Sequence, residues 1–234
     1  MKQLRAITLP VVFAFLASPA FAAPILTENF DNVAALGAAG WVLTNNSSPI
    51  GSTGWFQGNP GVFPSQGGAP NAYIAANFEN AGLGGNISNW LLTPVLSLGN
   101  GDTLTFFTQG AGVFADRLEV RLSTSGASTD VGATDASVGV FTSLLLTLNP
   151  ALNPNGYPTS WTQFSATVSG LGGPVTGRLA FRYNVPDTNV NANYIGIDTV
   201  GVNSTTVVPE PTMLPVMSLS LAALAWVRRP RVRR

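Results

Sequence analysis

Short stretches in which apolar and polar residues alternate recur along the middle of the chain and predict β-strands. Clusters of Gly, Pro and Asn separate them, and no long helical period competes with them. In one stretch Leu118, Val120 and Leu122 alternate with polar residues, which gives that strand one apolar face. One apolar face per strand predicts an all-β protein in which two sheets pack against each other. The clearest strands are expected at 71–78, 102–109, 116–123, 160–168, 177–185 and 193–202.

The start of the chain has the three parts of a secretory signal peptide. Lys2 and Arg5 precede an apolar run at 6–17, and small residues follow up to Ala22. Cleavage is therefore expected between Ala22 and Ala23, which makes residues 1–22 a signal peptide and the remainder an exported protein.

The end of the chain holds a second apolar run, at 212–227. As a helix rising ~1.5 Å per residue it would span ~24 Å, somewhat less than a ~30 Å hydrocarbon core. The arginines that follow would stay in the cytoplasm under the positive-inside rule, with the body of the chain on the far side of the membrane. These membrane-stop residues are Arg228, Arg229, Arg231, Arg233 and Arg234.

Immediately before this run stands a short box formed by Val208, Pro209, Glu210 and Pro211. The box, the apolar helix and the arginine tail resemble, in this order, the PEP-CTERM sorting signal of Gram-negative bacteria, here covering 205–234. The resemblance implies that an exosortase recognises the box and processes the tail after a transient stay in the inner membrane. The body would then reach the cell surface or the extracellular matrix. An ordinary tail anchor is the alternative.

The body of the chain is acidic and lacks most catalytic side chains. Between residues 23 and 207 four arginines face ten acidic residues, a formal net charge of −6, which argues against nucleic acid as a partner. The chain has no His and no Cys, so Ser-His-Asp and Cys-His catalysis and zinc sites of His or Cys are excluded. Paired carboxylates such as Asp116 with Glu119 remain, and they leave a glycan-processing enzyme of the envelope as an alternative.

Seven motifs follow one another along the body. They are ENFD at 28–31, GWFQGN at 54–59, YIAANF at 73–78, ISNWLLTP at 87–94, DRLEVRLS at 116–123, GRLAFRY at 177–183 and YIGID at 194–198. Together they resemble the choice-of-anchor J domain, over residues 23–204. The resemblance implies a jelly-roll-like β-sandwich related to cleaved-adhesin and MAM-like domains, and it implies no defined enzymatic activity.

Three carboxylates are candidate calcium ligands by analogy with those related domains, which bind calcium. In many jelly rolls the first and last strands lie close together, which would bring Glu28 and Asp31 near Asp198. Asp198 also lies in an apolar run, where an unpaired carboxylate is costly. The alternative is that Asp198 accepts hydrogen bonds from backbone amides or points outward.

The arginines of the body form a second candidate site. Arg117 and Arg121 on one strand, and Arg178 and Arg182 on another, are each spaced so that both side chains lie on one face. If the two strands are neighbours, the four make a basic patch that suits acidic sugar groups. The alternative is ion pairing on a solvated face with Glu119, Asp116 and Asp187.

Three aromatic residues in a Gly- and Pro-rich loop form a third candidate site. Trp55, Phe56 and Phe63 are expected to bind a ligand, because aromatic rings stack on sugar faces and loops on a rigid scaffold often carry binding residues. The alternative is that these rings cover the end of the core.

The sequence as a whole predicts an exported bacterial surface or extracellular-matrix protein with a non-catalytic adhesion, binding or structural role in exopolysaccharide or biofilm. The expected partners are an exosortase, exopolysaccharide or a neighbouring cell surface, and transiently the inner membrane. Calcium is the one cofactor expected. Because the body itself carries no ligand-specific motif, a purely structural spacer is a further alternative.

Overall fold

The computed structural model describes residues 24–205, which fold as two antiparallel β-sheets. All six predicted strands are present with ends shifted by a few residues. The strands are β1 Pro24–Glu28, β2 Val42–Asn45, β3 Ser48–Ile50, β4 Phe56–Gln57, β5 Ile74–Asn77, β6 Ala81–Leu92, β7 Leu96–Leu98, β8 Thr103–Gly110, β9 Leu118–Ser123, β10 Ser143–Leu148, β11 Thr162–Thr167, β12 Val175–Val185 and β13 Tyr194–Asn203. The helical segments among these residues are two short 3-10 turns, Val33–Ala35 and Phe78–Asn80, and neither is long enough to cross a membrane.

One sheet has six strands in the order β11-β8-β13-β5-β4, with β1 also paired to β13. The other has seven strands in the order β10-β9-β12-β6-β2, with β3 paired to β6 and β7 paired to β12. In β13 the register with β8 shifts between Asp198 and Gly201, and Thr199 has φ 49°. This bulge separates the part of β13 that pairs with β5 from the part that pairs with β1.

The main hydrophobic core lies between the two sheets. Leu118, Val120 and Leu122 of β9 are buried in it, as their alternation predicts, and Leu179 and Phe181 of β12 face the same core. These side chains exclude water from both inner faces, and the free energy of that burial is the main term that holds the sheets together.

The outer faces are not simply solvated, which corrects the prediction of one buried face per strand. In β12 every residue from Gly177 to Tyr183 is buried. Residues 124–142, here called the strap, cover the outer face of the seven-stranded sheet, where Trp90, Leu92, Val131, Phe141 and Ala180 form a second apolar cluster. The loop between β4 and β5 covers the other outer face, where Phe63, Tyr73, Ala75 and Tyr194 form a third.

The sandwich has two distinct ends. Pro24 pairs with Asn203, and the amide of Thr205 donates to Asp102 Oδ1 at 3.1 Å, so the described chain begins and finishes at one end, the terminal end. At the opposite end four connections pass from one sheet to the other, β3 to β4, β5 to β6, β8 to β9 and β12 to β13. We call this the loop end, and it consists of residues 50–53, 78–85, 111–117 and 186–193.

Candidate functional site

The loop end concentrates the apolar side chains that remain in water. Within residues 24–205 ten large apolar side chains are exposed, and six of them belong to the loop end. Solvent-exposed clusters of this kind mark interaction surfaces in soluble proteins. The six are Ile50 (68% exposed), Phe78 (49%), Leu83 (91%), Val113 (71%), Phe114 (48%) and Val190 (61%).

Backbone hydrogen bonds lay the connections of the loop end side by side. Phe78 N donates to Asn193 O at 2.9 Å, and Ala192 N donates to Ala115 O at 2.9 Å. On the other flank Thr188 donates through Oγ1 to Gly82 O, at 3.0 Å. The exposed apolar side chains therefore project from segments that are fixed to one another.

A cleft of about 510 Å³ opens in this surface. Ile50, Phe78 and Leu83 supply its apolar walls, while Ser52 and Glu79 supply polar groups. Its size falls within the ~300–1,000 Å³ range of small-molecule sites. Its composition, mostly apolar with one carboxylate, suits an apolar side chain or the apolar face of a sugar better than an anionic group.

A network of side-chain amides holds the 50–54 segment, part of which lines the cleft. Asn45 Nδ2 donates to the carbonyl oxygens of Thr53 (2.8 Å) and Asn80 (2.7 Å). Asn80 Nδ2 in turn donates to Thr53 Oγ1 and Gly54 O, and its Oδ1 accepts from the buried Asn89. Because these amides satisfy backbone carbonyls of Thr53, Gly54 and Asn80, the 50–54 segment is held in place although only Ile50 of it belongs to a strand.

The rings of the predicted aromatic ligand loop are largely buried and do not form an exposed surface, so ligand binding by them stays a prediction. Trp55 is buried in the main core, and Phe63 is 6% exposed. Phe63 packs between Tyr73 and Tyr194 with ring centroids 5.3 Å away, while Phe56 is half-buried against Tyr194. The rings cover the core, which was the alternative interpretation. Packing space explains their position, because Gly196 of β13 lies beneath Tyr73 and Phe63 and leaves room for both.

The predicted basic patch does not form an open surface either. Strands β9 and β12 are neighbours, as that prediction required, but the strap covers this face. Arg178 is 8% exposed and donates to Gly40 O and Thr93 O, whereas Arg182 is 3% exposed. Arg117 donates through Nε to Asn184 O, at 2.8 Å.

A buried charge cluster replaces the solvated ion pairs that were the alternative. Glu119 Oε2 lies 2.7 Å from Arg121 Nε and 3.3 Å from Arg182 Nη1, and Arg182 lies over the Trp90 ring at 5.0 Å. Burial acts to raise the pKa of Glu119, but the hydrogen bond and charge of Arg121, together with Asn184 and Arg182, hold it below its ordinary value. Neither Asp116 nor Asp187 pairs with these arginines.

Asp116 is buried on the core side of the same sheet. Its Oδ1 accepts from the Tyr183 hydroxyl at 2.5 Å and from Asn193 N at 2.9 Å. Burial raises the pKa of Asp116 to about 6, against the smaller opposing effect of these hydrogen bonds. Because Asp116 and Glu119 face opposite sides of the sheet, they do not form the converging pair that glycoside hydrolysis requires.

Two of the three candidate calcium ligands, Glu28 and Asp198, accept hydrogen bonds from backbone amides. Asp198 is fully buried, and its Oδ2 accepts from Gln66 N (2.9 Å) and Gly67 N (3.2 Å) while Oδ1 accepts from Thr199 N. Glu28 Oε1 accepts from Phe30 N, and within residues 24–205 no three carboxylates come together as a metal cluster. The capping role of Asp198 is thus observed. Calcium at Glu28, Asp31 and Asp198 stays a prediction.

The predicted targeting residues lie outside the described range. They comprise the signal cleavage site at Ala22 and Ala23, the box from Val208 to Pro211 and the arginines from Arg228 to Arg234.

Comparisons with known proteins identify the fold. The crystal structure of the K1 cleaved adhesin domain of Lys-gingipain from Porphyromonas gingivalis superposes with a TM-score of 0.52 at 24% identity, over 77% of this chain and 98% of that one. The K2 domain gives 0.53 at 17% identity, over 76% and 99%, and the K3 domain gives 0.50 at 22%, over 78% and 100%. No protein-family model and no curated protein matches the chain. The predicted all-β sandwich of the cleaved-adhesin type is therefore confirmed, while both sequence-family resemblances stay predictions.

Proposed function

We propose that this chain is an exported, non-catalytic adhesion protein of the bacterial surface or extracellular matrix that binds through its loop end. The concentration of exposed apolar side chains at the loop end, opposite the terminal end, carries the proposal. Loops on a rigid β-sandwich are a common location for binding residues. The likeness to cleaved adhesin domains agrees with this role at the level of the fold.

The state of the carboxylates supports a non-catalytic role. Every buried carboxylate described between residues 24 and 205 accepts hydrogen bonds or forms an ion pair. Asp102 accepts from Gly99 N and Thr205 N, and Asp116 accepts from Tyr183 and Asn193. Glu119 pairs with two arginines, and Asp198 accepts from three backbone amides. General acid-base catalysis needs such groups within reach of a substrate. The remaining acids are not brought together in a shared cleft, and Glu79 alone lines the cleft of the loop end.

The targeting segments complete the proposal. Residues 1–22 direct export across the inner membrane of a Gram-negative bacterium, and an exosortase acts at the box from Val208 to Pro211. The body then remains at the surface or in the biofilm matrix, where it contacts exopolysaccharide or a neighbouring cell. Replacing Glu210 by Ala in the producing strain is expected to shift the protein from the released fraction to the membrane fraction, as measured by immunoblot.

The binding role is tested by cosedimentation of residues 23–206 with the exopolysaccharide of the producing strain, in calcium and in chelator. Both sheets and all three apolar clusters lie within residues 24–205, so this segment holds a complete core. Binding is expected to fall at least about tenfold, or 1.4 kcal/mol, when Phe78 and Leu83 are both changed to Ser. Leu144→Ser, on β10 and 52% exposed, is the matched control. Equal binding by all three proteins would refute a contact through the loop end.

A further inference from the structure

The apolar surface of the loop end is large enough for a protein interface. The exposed fractions of its six apolar side chains correspond to about 700 Å² in total, close to the ~800 Å² that each partner contributes to an interface of standard size. Most of these side chains are aliphatic, which favours a protein partner over a sugar, since sugar faces stack best on aromatic rings. The other four exposed apolar side chains, Leu43, Val62, Val95 and Leu144, lie outside the loop end.

The charges of the loop end are of both signs and are unpaired. Arg117 makes no ion pair among the described residues, although each of its neighbours Arg121 and Arg182 contacts Glu119. Glu79 and Asp187, at the same end, likewise have no cationic partner there. Elsewhere on the acidic body, contact between two copies would bring negative charges together. At the loop end a second copy meets one cation, Arg117, as well as two carboxylates, Glu79 and Asp187. A surface that carries both signs is complementary to itself across a two-fold axis.

We propose that the loop end binds the loop end of a second copy of this chain. This inference rests on the proposed function, because it names the partner of the same surface. The apolar side chains form the centre of the contact, and Arg117 of each copy faces Glu79 or Asp187 of the other. An apolar centre with a polar rim is the usual anatomy of a stable interface.

The geometry of the sandwich gives this contact a direction. Pro24 and Thr205 lie at the terminal end, so the chain ends of the two copies point away from each other in a head-to-head pair. Such a pair exposes its two terminal ends on opposite sides. The contact joins neighbouring cells or matrix particles.

Sedimentation velocity of residues 23–206 tests the proposal, at concentrations between about 1 µM and about 1 mM. The wild-type protein is expected to show a monomer–dimer equilibrium in this range. Leu83→Asp and Val113→Asp, on two different connections, are each expected to raise the dissociation constant at least about tenfold. Leu144→Asp adds the same charge at an exposed site outside the loop end and is expected to leave the constant unchanged. Arg117→Glu is expected to weaken the dimer, with thermal unfolding confirming that the variant is folded.

Two results would overturn the inference. A wild-type protein that stays monomeric up to about 1 mM rules out the contact, and a dimer that Leu144→Asp weakens as much as Leu83→Asp places it elsewhere. Cosedimentation of the monomeric Val113→Asp variant, whose substituted side chain does not line the cleft, separates this inference from the proposed function. If the wild-type protein is monomeric but still binds polysaccharide through Phe78, the proposed function holds and the self-association is refuted. If it dimerises without binding polysaccharide, the self-association holds and binding to polysaccharide is refuted.

Discussion

Asp116 provides a test of the electrostatics of the core through the pH dependence of stability. Asp116 is 1% exposed and its carboxylate accepts hydrogen bonds from Tyr183 and Asn193. The buried Tyr157, whose hydroxyl shares a hydrogen bond with that of Thr108, lies nearby. Burial disfavours the charged form, so the pKa rises from 3.8 to about 6. The change to test is Asp116→Asn, which keeps an oxygen acceptor and removes the titration.

The magnitude follows from the pKa difference between the folded and unfolded protein. A rise of about two units corresponds to about 3 kcal/mol at 1.36 kcal/mol per unit. Between pH 4 and pH 6 the folded state binds the proton of Asp116 more tightly than the unfolded state does. The contribution of this group to the free energy of unfolding is therefore largest below pH 4, falls as the pH rises to 6 and is constant above that value.

Glu119 acts with the opposite sign and has to be separated from Asp116. Its pKa lies below the ordinary value in the folded protein, so its contribution is present above that ordinary value and is lost as the pH falls. The wild-type profile therefore mixes two opposed trends. Subtracting the wild-type profile from the Asp116→Asn profile cancels Glu119, because both proteins keep its ion pairs.

The assay is urea unfolding of residues 23–206 followed by tryptophan fluorescence at unit steps from pH 3.5 to 7. The stability of Asp116→Asn relative to the wild-type protein is expected to increase by about 3 kcal/mol over this range. Any fixed cost of the altered hydrogen bond shifts the whole difference curve and leaves its slope unchanged. Asp130→Asn, at an exposed carboxylate of the strap, is the control. A difference curve for Asp116→Asn that is flat, or that declines with pH, refutes the reasoning.

Three further predictions concern packing, the charge cluster and calcium. Gly196→Ala is expected to lower the free energy of unfolding by about 1–3 kcal/mol, since its Cβ would lie 2.8 Å from the Tyr73 ring and 3.0 Å from that of Phe63. Gly201→Ala on the same strand is the control: its Cβ would have a nearest contact of 3.2 Å, so chemical denaturation is expected to show a smaller loss. Glu119→Gln leaves two arginines without their buried carboxylate and is expected to lower stability by about 3 kcal/mol; urea unfolding at pH 7 that matches the wild-type protein would contradict this. Calcium is expected to raise the melting temperature of the wild-type protein but not that of an Asp198→Asn variant, and identical melting in calcium and chelator would count against the site.

The inner half of the sandwich could be predicted from the sequence because it depends on local alternation. Leu118 and Leu179 sit on strands whose apolar positions recur every second residue, and that period fixes the buried face. The outer half could not be predicted in this way. Arg182 occupies a polar position of the same alternation, and it is buried because the strap, whose place is set by distant contacts with Asn46 and Asn86, lies over it.

The same limit explains the aromatic loop. The Gly- and Pro-rich composition of this segment predicts an exposed loop, because these residues favour turns and disfavour regular strands. Phe63 is nevertheless buried, since Gly196 on a strand more than a hundred residues away provides the space beneath its ring. The signal available in the sequence was that glycine within an apolar strand, which indicates close approach of another group.

In this protein asparagine side chains hold the long loops against the sandwich, a role that disulfide bonds have in many exported domains. The chain has no cysteine, yet its long loops are fixed against the sandwich. Asn46 Nδ2 holds the strap through Gly132 O and Thr134 O, and Asn45 and Asn80 hold the 50–54 segment. A neutral amide satisfies two loop carbonyls without the desolvation cost of a buried charge, so it suits sites where loop backbone becomes buried. Because the hydrogen bonds of Asn45 and Asn80 fix the 50–54 segment, the apolar side chains beside it in the loop end are presented on a fixed frame, and little ordering entropy opposes the proposed contact with a second copy.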